Sequence, residues 1–224
     1  MTANPIKVIV VDDSALMRQI LTEMLNADDI KVIATAPDPI VARELIKQHN
    51  PDVVTLDIEM PKMDGLEFLE RIMTLRPMPV IMVSTLTAQG AESTLRALEL
   101  GAVDYVAKPT GDLQKEMGSL GEELRSKVRV AAQVKVRAYV MPARKPYVKK
   151  ELPPAPVITH LQQRLIAIGA STGGVEAITE VLSGMPPESP PIIITQHMPE
   201  KFTASFAQRL NSITPLRVSE AKHG

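Results

Sequence analysis

At 224 residues, 45% of them hydrophobic, the chain is long enough for one domain of about 125 residues and something further, and too apolar to be disordered throughout. A formal net charge of -1 offers no global attraction to nucleic acid or to an anionic membrane. No apolar run approaches the ~20 residues that a membrane-spanning helix needs, and no charged-then-apolar leader opens the chain. Without cysteine there is neither a disulfide framework nor a thiol nucleophile, so the expected location is the cytoplasm, with no direct membrane insertion.

In chain order, the first apolar run is Ile6 to Val11, closed by Asp12 and Asp13; Leu16, Ile20 and Met24 follow at helical spacing. Val53 to Leu56 is closed by Asp57, and Leu66, Leu69 and Met73 follow at the same period. Val80 to Val83 ends at Ser84, and Tyr105-Val106-Ala107 runs into Lys108. Each run reads as a buried parallel strand. Alternating strand and helix predicts a doubly wound sheet, whose strands open their carboxyl ends on one edge, where ligands bind. Asp12, Asp13, Asp57, Ser84 and Lys108 are all expected there.

Those residue types describe a phosphate-accepting acidic pocket. Three neighbouring carboxylates repel one another unless a hard cation joins them, and an oxygen-rich site of this kind suits Mg²⁺. Asp57 is the expected nucleophile toward a phosphoryl group. Lys108 would pair with the phosphate as a point charge, and the Ser84 hydroxyl would hydrogen-bond it. Taken singly, an Asp pair after a strand reads more naturally as a helix N-cap and its neighbour. Recurrence at consecutive strand ends is what selects the pocket.

Residues Ile6 to about Arg125 resemble the receiver domains of two-component response regulators, through VVDDS at 10 to 14, LDIEMPKMDG at 56 to 65, MVS at 82 to 84 and YVAKP at 105 to 109. The resemblance implies phosphorylation at Asp57 and Mg²⁺ held by Asp12, Asp13, Asp57 and the backbone carbonyl of Glu59. It also implies that Ser84, at a place often held by Thr, and Tyr105 carry the signal to the surface.

Between Arg125 and Lys150 stand nine basic residues and no acidic one, and Pro142, Pro146, Pro153, Pro154 and Pro156 prevent regular structure over the second half. A basic, proline-rich linker over 126–159 is the expectation, helical at its start. A nucleic-acid footprint is disfavoured: only Tyr139 and Tyr147 could stack on bases, and no helix-turn-helix pattern follows.

Leu165 to Ile168 forms a further apolar strand, leading into Gly169-Ala170-Ser171-Thr172-Gly173-Gly174 and a helical segment with Val175, Ile178 and Leu182. This matches G-x-S-x-G, in which a sharp strand-to-helix turn exposes a serine hydroxyl and the next N–H, here that of Thr172, can help hold an oxyanion. The strand Ile192 to Gln196 then delivers His197, the expected general base, to the same edge. A third group should orient the imidazole, yet beyond His197 stand only Glu200 and Glu220. On spacing alone the glycine-rich turn could instead be a phosphate-binding loop and His197 a structural histidine, the less favoured reading. An ordinary α/β-hydrolase is disfavoured, because there the acid precedes a late histidine.

The two halves together resemble one family, the chemotaxis response regulators that are protein-glutamate methylesterases and glutamine deamidases. Receiver, linker, IGASTGG at 168 to 174 and TQHMP at 195 to 199 occur in that family's order. The resemblance implies a flavodoxin-like (βα)5 receiver domain over 1–125, followed from 160 to 224 by an incomplete doubly wound parallel α/β methylesterase domain. Ser171 would be the nucleophile, His197 the general base and Thr172 an assistant through its backbone or hydroxyl, with no cofactor for the esterase. A chemotaxis histidine kinase would be the phosphodonor and methylated chemoreceptors the substrate. The family's triad aspartate lies farther along than residue 224, so a C-terminally truncated chain, ending soon after strand-like Leu216 to Ser219 and hydrolysing esters poorly or not at all, is the expectation. The alternative is a non-catalytic phospho-switch whose C-terminal piece only binds or docks.

Overall fold

The structure is a computed structural model that describes residues 4–60, 64–85, 87–109, 113–136 and 164–223, and the chain divides into two units. In the first, β1 (Ile6–Val11), α1 (Ala15–Leu25), β2 (Ile30–Ala36), α2 (Pro39–His49), β3 (Val53–Asp57), α3 (Gly65–Leu75), β4 (Val80–Ser84), α4 (Ala88–Glu99), β5 (Asp104–Ala107) and α5 (Leu113–Ala131) alternate. The strands form one parallel sheet in the order β2-β1-β3-β4-β5. This is the doubly wound sheet expected from the strand and helix alternation and the flavodoxin-like order implied by the resemblance, reversing between β1 and β3.

Side-chain alternation explains why the strands read as unbroken apolar runs. Val8, Val10, Val53, Ile81, Val83 and Val106 pack against Ile20, Leu21, Met24 and Leu25 of α1 and Leu124, Val128 and Ala131 of α5. Ile9, Val11, Val54, Leu56, Val80 and Met82 alternate with them and are equally buried. A sheet covered on both faces keeps its strand interiors mostly apolar, with the buried Thr55 of β3 an exception and the acidic groups at the carboxyl ends. Each such buried Val, Ile or Leu contributes about 1.5–3 kcal/mol. On α1 the buried stripe is Ile20, Leu21, Met24 and Leu25, whereas Leu16, expected on it, is 62% exposed, and its neighbour Met17 packs against the core in its place.

The helices begin where the chain supplies oxygen for their free N–H groups. Ser14, Asp38, Asp64 and Thr87 cap α1 to α4, each accepting a backbone N–H from within the first turn. The Asn50 cap closes α2 at a left-handed φ of 46°. Gly65 is required sterically, because a Cβ there would lie 2.1 Å from the Asp57 carbonyl oxygen.

The receiver does not stop at residue 125. Helix α5 continues to Ala131, and Val128 and Ala131 are in its core, so the first residues expected in the linker belong to the packed unit. Three of the basic residues expected as tether charges are engaged there. Arg125 donates to the Met24 carbonyl at 2.6 Å, Arg129 pairs with Asp29 at 2.7 Å, and Lys127 is buried. The proline-rich stretch expected as linker, 137–159, lies outside the described residues.

In the second unit, β6 (Ile166–Ala170) and β7 (Ile192–Gln196) pair in parallel through α6 (Gly174–Ser183), and α7 (Glu200–Ile213) follows. Val175, Ile178 and Leu182 of α6 and Phe202, Phe206 and Leu210 of α7 are buried. Both strands alternate half-buried and exposed, with Ile193 56% exposed. The strand expected at Leu216 to Ser219 is absent: its backbone turns to a side chain instead, Val218 N donating to Asn211 Oδ1 at 3.1 Å. Among the described residues no helix is long and apolar enough to cross a membrane.

Candidate functional site

The receiver's five expected residues converge at the carboxyl edge of its sheet. Asp12 and Asp13 follow β1, Asp57 ends β3, Ser84 ends β4 and Lys108 follows β5. Ligand oxygens of Asp12, Asp13 and Asp57 lie within 4.8 Å of one another. Asp12 and Asp57 are fully buried, while Asp13 is exposed. All-oxygen donors this close are chemistry that a hard divalent cation satisfies.

Lys108 reaches into the same space, its Nζ 2.7 Å from Asp57 Oδ2 and 3.2 Å from Asp12 Oδ2. One ammonium leaves three ionised carboxylates with two uncompensated charges. Burial is the largest influence on Asp57 and pushes its carboxyl up to about 6; the Lys108 hydrogen bond opposes that, and the like charge of Asp12 adds to it. For Lys108, burial works against the charge, but Asp57 and Asp12 outweigh it and hold the ammonium above the ordinary lysine value.

The supporting groups are less regular. The Glu59 backbone N–H donates to Asp57 Oδ1 at 3.2 Å, and its side chain accepts from Thr85 Oγ1 at 3.1 Å. The Ser84 hydroxyl is directed at the Gly90 carbonyl, 3.3 Å away. Tyr105 is 4% exposed, with the Lys127 ammonium 5.0 Å from its ring centroid. Burial, then Asp104 and Glu123, raise the Tyr105 hydroxyl well above its usual value.

Two further groups escaped sequence reasoning. Arg18, one turn into α1, donates to the carbonyls of Asp12 and Asp13 at 2.7 and 3.0 Å and so pins the acidic turn from behind. Lys127 donates to the Tyr105 carbonyl at 2.6 Å and lies 2.9 Å from Glu123 and 3.4 Å from Asp104. Arg18 acts on the turn five and six residues before it and Lys127 has Glu123 one helical turn back, but only the fold brings Lys127 to Tyr105 and Asp104.

In the second unit, Ala170 is opposite Gln196 in the β6–β7 register, so Ser171 and His197 stand next on neighbouring strands. His197 N donates to the Ala170 carbonyl at 3.0 Å, extending the pairing by one residue. Ser171 and His197 are exposed and Thr172 is half-buried. The sharp turn is made by Gly173 at φ 72°; among the described residues the one non-glycine with positive φ is Asn50, so Ser171 is not in the strained geometry of a hydrolase elbow. Among the described residues no hydrogen bond joins the two side chains and none runs from a carboxylate to His197. Glu220 is engaged by the Thr203 hydroxyl.

Two family models match in sequence order: a response regulator receiver domain over residues 8–117 and a CheB methylesterase over 166–224. A protein-glutamate methylesterase/protein-glutamine glutaminase of Burkholderia lata is 56% identical over 229 residues, covering 100% of this chain and 63% of the relative. The chain belongs to the CheB methylesterase family. A relative of the same description from Salmonella typhimurium is 55% identical over 99% of this chain and 62% of its own length. The chain thus spans less than two thirds of these relatives. Among solved structures, the response regulator domain of Thermotoga maritima CheB is 44% identical with a TM-score of 0.54, covering 59% of this chain and 99% of that domain. The parallel receiver followed by a second parallel sheet is therefore the family's order of parts.

Proposed function

We propose that this chain is the phosphoryl-accepting receiver and the serine–histidine part of a chemotaxis methylesterase. The observation that carries it is the convergence of three carboxylates and one ammonium within a few ångströms at the sheet edge. In the receiver, a carboxylate oxygen of Asp57 attacks the phosphorus of a phosphodonor, the bond to the donor breaks, and an acyl phosphate remains. Asp12, Asp13, Asp57 and the Glu59 carbonyl would hold Mg²⁺, which supplies charge neutralisation at the transferring oxygens. Lys108 then passes from the carboxylate pair to the phosphoryl oxygens. The Ser84 hydroxyl must leave Gly90 to reach them.

In the second unit, Ser171 Oγ would attack the carbonyl carbon of a glutamate methyl ester while His197 takes its proton and returns it to the departing methanol; water then cleaves the acyl-serine. Glutamine deamidation follows the same course with ammonia leaving. Thr172, first in the turn toward α6, would offer its N–H to the oxyanion. With no carboxylate orienting His197 among the described residues, hydrolysis by residues 1–224 alone is expected to be slow. The phosphodonor is a chemotaxis histidine kinase, the substrates are methylated chemoreceptors, the setting is the cytoplasm, and phosphorylation at Asp57 controls hydrolysis.

The direct test is incubation with a small phosphodonor, acetyl phosphate or phosphoramidate, with and without Mg²⁺. A phosphoryl adduct on Asp57, detected by mass, should form only with Mg²⁺ and vanish in Asp57→Asn. An adduct that persists in Asp57→Asn overturns the assignment. A serine-directed fluorophosphonate tests the second unit: labelling at Ser171 supports the esterase, and failure to label both this chain and a full-length relative favours the non-catalytic switch.

A further inference from the structure

We propose that Gln196 is the positioning residue of the serine–histidine pair, its side-chain amide bracing the nucleophile turn against the histidine strand end. This rests on the esterase reading above and deepens it. Gln196 Nε2 donates to the Ser171 carbonyl at 2.9 Å and to the His197 carbonyl at 3.2 Å. An amide nitrogen has two hydrogens, and here each is directed to the backbone of one member of the pair.

Three observations argue that this is more than a chance contact. First, the two carbonyls fix the orientation of the amide, because the reverse orientation would set Oε1 against two acceptors. Second, that orientation leaves Gln196 Oε1 buried with no hydrogen-bond partner among the described residues, a cost that a merely space-filling side chain avoids. Third, the chain makes room for it: a Cβ on residue 174 would lie 2.0 Å from Gln196 Oε1, so only Gly174 admits the amide.

The Ser171 carbonyl is consequently held twice, by Gly174 N at 2.8 Å and by Gln196 Nε2. β6 and β7 end beside this point, and past the His197 N–H to the Ala170 carbonyl the strand ladder no longer sets their separation. Because a displacement of about 1 Å between nucleophile and base can cost on the order of 10²-fold in rate, a brace at this place acts on the chemistry and not only on stability.

The chain has no cysteine, so Ser171→Cys introduces a single thiol whose ionisation is read by thiolate absorbance without background. A thiol beside His197 should titrate about one unit or more below the free value of about 8.5, and His197→Ala should return it toward that value. Adding the uncharged, similarly long Gln196→Met to Ser171→Cys should remove at least half of the depression. A depression that needs His197 but ignores Gln196→Met overturns the brace and leaves the pair standing. A thiol that titrates normally and ignores His197→Ala overturns the pair, and the brace with it. Should Gln196→Met unfold the second unit, the unaltered chain decides. Both Gln196 side-chain amide protons should exchange with solvent about 10-fold or more slowly than those of free glutamine, and exchange at the free rate refutes the proposal.

Discussion

Asp57→Asn should stabilise the metal-free receiver at neutral pH. Burial raises the Asp57 carboxyl from the usual 3.8 to about 6, so the folded state binds its proton more tightly than the unfolded chain does. A group displaced in that direction stabilises most below the unfolded value and loses that contribution as pH rises through the folded one. The side chain is only 1% exposed, so solvent screening does not discount the effect. A rise of that size corresponds to about 3 kcal/mol over the full titration, of which about 2.4 kcal/mol is withdrawn between pH 4 and pH 7, since pH 4 already lies just above the unfolded value. Asparagine has nearly the shape of the protonated acid and cannot ionise. The stability difference between Asp57→Asn and the parent chain should therefore grow by about 2.4 kcal/mol from pH 4 to pH 7. Urea unfolding in excess EDTA, followed through the amide signals of β3 and β4, reads the receiver alone, and differencing between pH values cancels any effect of the substitution that does not titrate. Growth below about 1 kcal/mol, or of opposite sign, would refute a carboxylate held against its own charge.

Further outcomes follow from close contacts. Gly65→Ala should destabilise the receiver by about 3 kcal/mol or more in the same measurement, because its Cβ meets the Asp57 carbonyl backbone and no flexible side chain can yield. Lys127→Met should cost about 3 kcal/mol by leaving Asp104 buried without its cation, and Lys127→Met with Asp104→Asn should recover part of that loss. Asp38→Ala, which removes the cap that accepts Val41 N at 2.9 Å, should lower receiver stability by only about 1 kcal/mol. An equal loss for Asp38→Ala and Gly65→Ala would contradict the steric account of Gly65.

Much of the receiver was legible because its signals are local. A run such as Val8 to Val11 cannot be apolar throughout and remain exposed, and polar residues inside such strands are few, the buried Thr55 of β3 being one, so the charged groups that bind ligands stand at strand ends. The direction in which Asp12, Asp57 and Ser84 close their runs thus places them on one edge before any contact is known. The boundary at 125 was misplaced for a related reason: a run of Lys and Arg reads as a solvated tether. Yet Arg125, Lys127 and Arg129 lie on a helix whose Val128 and Ala131 complete the core. Charge count cannot reveal that Lys127 faces a buried Asp104. The strand expected at Leu216 to Ser219 failed similarly, since composition permits a strand but only a neighbouring strand with free backbone groups can pair with it.

What the sequence by itself determined is the parallel sheet, the five residues at its edge and the serine and histidine at successive strand ends, because hydrophobic period and strand termini are properties of adjacent residues. What only the tertiary structure decided is how those residues bear on one another. Lys108 spans Asp57 and Asp12, burial lifts the Asp57 carboxyl, Arg18 pins the acidic turn, and Gln196 ties the Ser171 turn to His197. Each of these depends on distance, side-chain direction and desolvation, some between neighbours in the chain and some between positions far apart, and such quantities exist only once the chain has folded.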